Sequence, residues 1–483
     1  MNIRLLANIL GKLLCLEAGF MLPSLFVAIH DNAGDISPFI YTIVLILLLG
    51  LPLMLLSKPE DKTLRPREGF VSVGLSWMLL SAFGALPFMF SGTTAYYWDA
   101  LFEAVSGFTT TGASILRDVE VVGRGVLFWR SFMHWIGGMG VLVLTLAVMP
   151  KVSGRGAILA KAESPGPTFS KMMPKMGDTA RLLYAIYALM TVAEFVLLML
   201  AGMPLFDSVI HAMGTAGTGG FSNRNLSVGA YNSVWVDTII MVFMLLFGTN
   251  FIIYFHLLRG EGLKAFKNEE VRFYYGMALG AILLIALLGL PEYGSFFNSL
   301  RYSGFQVASI MSTTGFATAD FNLWPQFSRI LLVLLMLVGA CAGSTAGGMK
   351  VVRLVLLGKG TSREVGHTLQ PRKVRLVKLD AKPVSEDTLK SVFVFFFIYI
   401  SFLFIGTLIA STDGHDFVTS FSAVISCLSN IGPGLELVGP TGNFSIFSPH
   451  VKYLLSFLML AGRLEFIPML VLFHPAIWKK AGH

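Results

Sequence analysis

Charge is scarce in this sequence. Of its 483 residues only 13% are Asp, Glu, Lys or Arg, about half the share of an ordinary soluble domain. That excludes a globular body surrounded by water. Cysteine is scarcer still: Cys15, Cys341 and Cys427 stand far apart in apolar or glycine-rich sequence. They cannot form a disulfide framework or a structural zinc site, and they read as small packing residues. The nine histidines are dispersed without ligand spacing, and no nucleophile, base and metal set gathers in one stretch, so the chain does not read as an enzyme.

What is abundant is apolar sequence, 55% of the residues, with a mean hydropathy of +0.72. Runs close to the ~20 residues needed to cross hydrocarbon lie at about 13–29, 37–57, 70–91, 125–149, 181–203, 234–258, 272–290, 327–357, 391–411 and 450–473. They predict an all-α polytopic membrane protein of about ten spans in one membrane body. The first run follows Arg4 and Lys12 as a signal peptide would, but Glu17 interrupts it and no small-x-small cleavage site follows. An uncleaved helix is expected there.

Basic residues orient the spans, because Lys and Arg are retained on the cytoplasmic side. The linkers 58–69, 150–181, 259–272 and 350–390, with Lys479 and Lys480, carry 26 of the 36 Lys and Arg. Both termini are therefore expected in the cytoplasm, and the net charge of +8 reflects topology rather than nucleic-acid binding. The stretch from His367 to Lys390, with Arg372, Lys373, Arg375 and Lys378, is also basic enough to dock a cytosolic partner.

The 49 glycines cluster, and the clusters repeat. Four segments align: Ser106 to Ser114, Gly214 to Ser222, Ser309 to Ala317 and Ser426 to Gly434. Each holds a glycine with Ser or Gly six residues before it, and the four glycines, Gly112, Gly220, Gly315 and Gly432, recur every 95 to 117 residues. An apolar segment too short to span, such as Tyr97 to Phe108 or Phe296 to Met311, precedes each. Another glycine, Gly138, Gly248, Gly343 or Gly462, follows 26 to 30 residues later. The unit is span, half-helix, glycine loop, span, repeated at 58–150, 151–260, 261–360 and 361–483 after two extra spans in 1–57. Irregular backbone at membrane depth survives only where it lines water or is covered by protein, so four such loops should converge on one axis. Glycine lets carbonyls turn inward and replace the hydration shell of a monovalent cation, and half-helix carboxyl ends pointing at the axis favour a cation. Glycines that merely let helices pack closely would account for one segment, but not for four with matching offsets. A sodium-coupled symporter, the competing reading, would show a twofold inverted repeat.

These motifs resemble the potassium-uptake family whose pore subunits are called TrkH, TrkG and KtrB, with plant HKT transporters as relatives. The likeness runs the length of the chain, and the two extra spans resemble the TrkH/TrkG branch. The resemblance implies a homodimer in a bacterial inner membrane with one potassium-selective pore per protomer. It also implies gating by a cytosolic nucleotide-binding subunit of the TrkA type. This chain has no P-loop or G-x-G-x-x-G after a strand, so nucleotides would act through that partner. No cofactor is implied beyond potassium as the transported ion, and proton or sodium coupling is left open. The filter would be Thr110, Thr111 and Gly112; Thr218, Gly219 and Gly220; Thr313, Thr314 and Gly315; and Asn430, Ile431 and Gly432. Glycine at 112, where sodium-admitting relatives often have serine, implies potassium preference. The fourth filter is the least threonine-like, so backbone carbonyls rather than side chains are expected to serve there.

Two further features lie in the spans. Gly339, Gly343 and Gly347 read as a helix-packing face, whereas the family resemblance makes Gly343, Ser344, Thr345, Ala346, Gly347 and Gly348 a loop that constricts the pore below the filter. Arg463 follows Gly462 at the offset shared by the repeats, so it should face the axis as an electrostatic barrier. An ion pair with Glu465 or Glu194 is the alternative. Glu103, His134 and Asn250 read as satisfied structural residues.

Overall fold

The computed structural model describes residues 1–31, 34–57, 65–140, 176–258, 260, 262, 267–373 and 375–475. The basic linkers at 58–69 and 150–181, part of 259–272, and Lys479 and Lys480 lie wholly or mostly outside these residues.

Helices α1 (Ile3–His30) and α2 (Ile36–Leu56) form an antiparallel pair. Their backbones approach closely at Gly11, where a Cβ would stand 2.8 Å from the Gly50 carbonyl oxygen. The amide of Asn8 closes the pair by donating to Met54 O at 2.7 Å. The first repeat comprises α3 (Pro66–Gly84), its short continuation α4 (Leu86–Phe90), the half-helix α5 (Tyr97–Phe108) and α6 (Arg124–Gly138). The second comprises α7 (Met176–Leu200), the half-helix α8 (Leu205–Gly217), α9 (Val234–Phe247) and α10 (Phe251–Leu258). The third comprises α11 (Glu269–Leu288), α12 (Leu290–Tyr293), the half-helix α13 (Phe296–Met311), α14 (Gln326–Val338) and α15 (Val351–Leu369). A two-stranded hairpin, β1 (Lys378–Leu379) and β2 (Lys382–Pro383), leads to the fourth repeat. That repeat comprises α16 (Glu386–Ala410), the half-helix α17 (Phe417–Ser429), α18 (Pro449–Arg463) and α19 (Ile467–Phe473).

The ten apolar runs are not ten continuous helices. Among the described residues six helices are long and apolar enough to cross a membrane, and α9 and α10 form a further pair bent by 94°. The difference lies in the last span of each repeat. Helix α6 stops at Gly138, α9 at Phe247, α14 at Val338 and α18 at Arg463, each beside the second repeated glycine or a few residues before it. In the third repeat Gly339, Gly343 and Gly348 take φ of +74°, +73° and +75°. Those left-handed values end a helix, so the helical packing face of Gly339, Gly343 and Gly347 does not form and the segment is a loop. Hydropathy cannot reveal such a break, because the residues on both sides of it remain apolar.

Large apolar side chains such as Leu48, Leu56, Phe397 and Leu408 face outward, the arrangement of a body solvated by lipid. Polar side chains instead collect in the interior, around the four half-helix ends.

Candidate functional site

Each half-helix ends immediately before its glycine loop, so four carboxyl-terminal helix ends with their partial negative charge surround one point. The loops share one backbone conformation. Thr110, Thr218, Thr313 and Asn430 all lie in the left-handed region at φ between +55° and +57°, and the glycine two residues later has φ from +74° to +108°. Left-handed values at alternate residues turn successive carbonyls toward the same side. The Ser or Gly at the start of each motif explains itself here. Its carbonyl receives the N–H of the residue preceding the filter glycine: Thr111 to Ser106, Gly219 to Gly214, Thr314 to Ser309 and Ile431 to Ser426, at 2.9 to 3.0 Å.

The four loops close into a ring. A Cβ built on Gly112 would collide with the carbonyl oxygen of Gly219, one on Gly220 with that of Thr314, and one on Gly315 with that of Ile431. One on Gly432 would stand 2.9 Å from that of Thr111. Each repeat thus presents a carbonyl to the glycine of the repeat before it, in cyclic order. Among the described residues no hydrogen bond ends on these four oxygens. Buried carbonyls are otherwise almost always paired, so the ring is a set of acceptors left for a ligand. On one side of it a cavity of about 170 Å³ takes in Gly112, Gly220, Gly315 and Gly432 together.

Behind the ring stands a buttress that sequence reasoning missed. Nine residues before each filter glycine the half-helix carries Glu103, His211, Gln306 or Ala423. Glu103 accepts from the Ile115 N–H at 3.0 Å and from the Ser114 hydroxyl. His211 Nε2 meets Ser222 Oγ at 3.0 Å, and the Gln306 amide oxygen accepts from the Thr318 N–H at 2.9 Å and the Ala319 N–H at 3.2 Å. In the fourth repeat alanine cannot reach, and its neighbour Ser422 receives the Leu435 N–H at 2.8 Å. Every repeat therefore pins the strand that leaves its filter. Superimposing the four motifs three residues further toward the amino terminus would have exposed the polar register.

The first buttress is the strongest. Glu103 is fully buried and pairs with Arg130 at 2.6 Å. Arg130 also donates to Ser222 O and stacks on Phe221, 3.8 Å from the ring centroid, so it ties the first repeat to the second. His134 joins the same seam, with Nδ1 on Gly107 O at 2.8 Å and Nε2 accepting from the Phe221 N–H at 3.2 Å. Glu103→Ala should destabilise the protein by about 3–5 kcal/mol, because it strands a buried guanidinium. Thermal unfolding in detergent measures this, and a shift no larger than that of Glu120→Ala, an exposed carboxylate, would refute it.

On the other side of the ring lies the loop 339–350. Its ends are zipped by Lys350 N–H to Val338 O and Val351 N–H to Ala340 O, both at 2.9 Å. From there it meets the second, third and fourth repeats directly and the first through Arg463. Cys341 donates to Gly248 O, Phe251 donates to Gly343 O, and the Thr345 hydroxyl donates to Phe247 O, all in the second repeat. The Gly347 N–H donates to the Thr313 hydroxyl at 2.7 Å, so the loop is bonded to a filter residue of its own repeat. Gly347 also packs against Ser429 O and Asn430 of the fourth repeat too closely for any Cβ. Arg463 completes the circle. Its guanidinium donates to Thr345 O at 2.7 Å and to Gly137 O and Gly138 O of the first repeat at 2.5 and 2.7 Å. Glu465, its alternative partner from sequence, is instead paired with Arg353. Asn250 supports the loop at Gly343. Asn430 stands where the other filters have threonine, and its amide donates to Thr111 Oγ1 at 3.0 Å and Met459 O at 2.9 Å.

Four quasi-equivalent repeats therefore frame a cavity, a carbonyl ring and, bonded to the ring's Thr313, the loop 339–350. The family model described as a cation transport protein, TrkH, matches residues 36–287 and 298–480. The chain belongs to the TrkH family. Among its relatives, the Trk system potassium uptake protein TrkH of Salmonella typhimurium is 38% identical, over 99% of this chain and all of the relative. The Trk system potassium uptake protein TrkG of Escherichia coli is 34% identical, over 99% of both chains. The crystal structure of the potassium transporter TrkH from Vibrio parahaemolyticus superimposes with a TM-score of 0.90 at 34% identity, covering 99% of this chain and 100% of that one. Likeness to these TrkH-family proteins thus extends through the two extra helices as well as the four repeats.

Proposed function

We propose that this chain is a potassium-uptake pore of a bacterial inner membrane, with both termini cytoplasmic. The observation that carries the reading is the closed ring of four unpaired carbonyl oxygens, one from each repeat. Such a ring replaces the water of a dehydrated monovalent cation, and the half-helix ends add negative potential where the cation rests. Thr110, Thr218 and Thr313 supply side-chain oxygens on the loop side of the ring, while the fourth repeat contributes backbone carbonyls and its Asn430 amide braces Thr111. The loop from Gly343 to Gly348 is the gate: it bonds to the second repeat and to Thr313 of its own, packs on the fourth, and is linked to the first through Arg463. Potassium, the transported ion, enters from the vestibule and leaves past this loop when the loop withdraws. Arg463 holds the loop and opposes cation occupancy beneath the filter. Repeats bounded near 58–150, 151–260, 261–360 and 361–483 supply the walls, with 1–57 packed outside them.

The relatives are named as members of a Trk system, which supports a complex. We assign a homodimer in lipid, joined by a cytosolic nucleotide-binding subunit of the TrkA type that acts on the gate. The test is growth of an uptake-deficient bacterium at limiting potassium. Expression of this chain with its regulatory partner should restore growth and rubidium uptake, with sodium failing to compete. Membrane-inserted protein that rescues nothing and carries no rubidium would overturn the reading.

A further inference from the structure

The gate loop is held by one more group, on α11. Glu270 is almost fully buried at the first turn of that helix. Its Oε1 accepts from the Ala342 N–H at 2.7 Å and from the Val352 N–H at 3.1 Å. Ala342 lies where the loop leaves the α14 end and Val352 where α15 resumes, so one carboxylate clasps both ends of the gate. Charge suits the position, because Val352 belongs to the first turn of α15, where exposed N–H groups favour an anion.

The residues beside Glu270 are bound to the hairpin at 378–383. Its turn residues Asp380 and Ala381 both have positive φ, +48° and +63°, which aims the Asp380 carboxylate back at α11. Asp380 Oδ1 accepts from the Glu269 N–H at 2.8 Å and Oδ2 accepts from the Asn268 amide at 2.9 Å. Lys359 of α15 pairs with Glu269 and donates to Lys378 O, which closes the circuit from α15 to the hairpin and α11. A second, independent contact is apolar. Val377 at the base of the hairpin shares a buried cluster with Ala342 of the loop, Val352 and Leu356 of α15, and Leu389 and Val392 of α16.

We propose that Glu270 is the positioning residue of the gate loop, and that the 378–383 hairpin sets its place through Asp380. The inference rests on the reading of 343–348 as the gate. Glu270 touches no ion. It acts by keeping Ala342 and Val352 together, which keeps Gly347 against Thr313. A displacement of the hairpin that pulls Asp380 from the start of α11 shifts Glu270 and releases both loop ends, so the hairpin is an input to the gate from the basic face of the protein.

The experiment is rubidium flux per folded protein in liposomes of the full chain, with the rubidium-to-sodium ratio read in parallel. Four variants are compared: Asp380→Gly, Glu270→Ala, their combination, and Glu270→Gln. Glycine tolerates the positive φ at 380 and removes only the carboxylate. Asp380→Gly and Glu270→Ala should each raise basal flux about threefold to tenfold, the range expected of a coupling element, with the ion ratio unchanged. The double variant should not exceed the larger single one, because both break one linkage. Glu270→Gln keeps an acceptor for both N–H groups and should return flux most of the way to wild type. Wild-type flux in Asp380→Gly, or multiplicative effects in the double variant, would overturn the proposal. Should Glu270→Ala not fold, Asp380→Gly in the hairpin decides alone. Deleting Gly343 to Gly348 separates the two levels. Raised flux in the deletion with none in Asp380→Gly overturns the hairpin linkage only, whereas unchanged flux in the folded deletion overturns the gate itself.

Discussion

Gly112→Ser is expected to lower the ratio of potassium to sodium uptake about tenfold while leaving the protein folded and in the membrane. Two effects combine. The residue sits at φ +79°, where any L side chain is strained by roughly 1–2 kcal/mol. The added Cβ also collides with the carbonyl oxygen of Gly219, itself a member of the ring. That oxygen must move, and a displacement costing about 1.4 kcal/mol of potassium coordination is a tenfold change in preference. Gly220→Ser and Gly315→Ser meet the carbonyls of Thr314 and Ile431 in the same way. Gly432→Ser has more room, with its Cβ 2.9 Å from Thr111 O, and should be the mildest of the four with respect to the ring. Competitive uptake of the two ions measures the ratio. If it stays at wild type in both Gly112→Ser and Gly315→Ser, the ring is a packing device and the ion passes elsewhere.

Arg463→Gln should raise rubidium uptake severalfold. The guanidinium joins the gate at Thr345 O to the first repeat at Gly137 O and Gly138 O. Glutamine is shorter, cannot bridge both sets of carbonyls, and so cuts the link between the loop and the first repeat. The charge acts in the same direction. A fixed positive charge several ångströms from a passing cation opposes it by on the order of 1–3 kcal/mol at an effective dielectric of about 20. Uptake per folded protein, measured beside thermal stability, separates this from a role in a buried ion pair. Were Arg463 balancing a buried carboxylate, the variant would lose both uptake and about 3–5 kcal/mol of stability, and neutralising Glu194 would restore them.

Much of the site was legible because it is repeated. A single Ser-x-x-x-x-x-Gly motif carries little information, but four at similar spacing fix the register of the filter loops, and the structure brings all four together. The breaks in the closing spans were half legible. Their glycines were found by offset, yet only the third break was expected, because apolar residues flank the others and the family resemblance marked one loop. The buttress was missed for a different reason. Glu103, His211 and Gln306 differ in charge and shape, so they share a polar register three residues before the motifs but no residue type, and their bonds to the outgoing strand are what reveal the shared task. Glu270 and Asp380 were illegible altogether. They lie 110 residues apart, and Glu270 meets the loop ends, as Asp380 meets Glu269, through backbone N–H groups, which every residue but proline carries.

The sequence by itself determined that the chain lies in a membrane, that it is built from four like units after two extra helices, and which four glycines mark its axis. Scarce charge, apolar runs of spanning length and a recurring glycine register are properties of composition and order, and folding does not alter them. The tertiary structure alone decided the closure of the ring, the path of the loop and the partners of Arg463. Those depend on where carbonyl oxygens from distant repeats arrive, to within tenths of an ångström, and a backbone carbonyl leaves no trace in the identity of its residue.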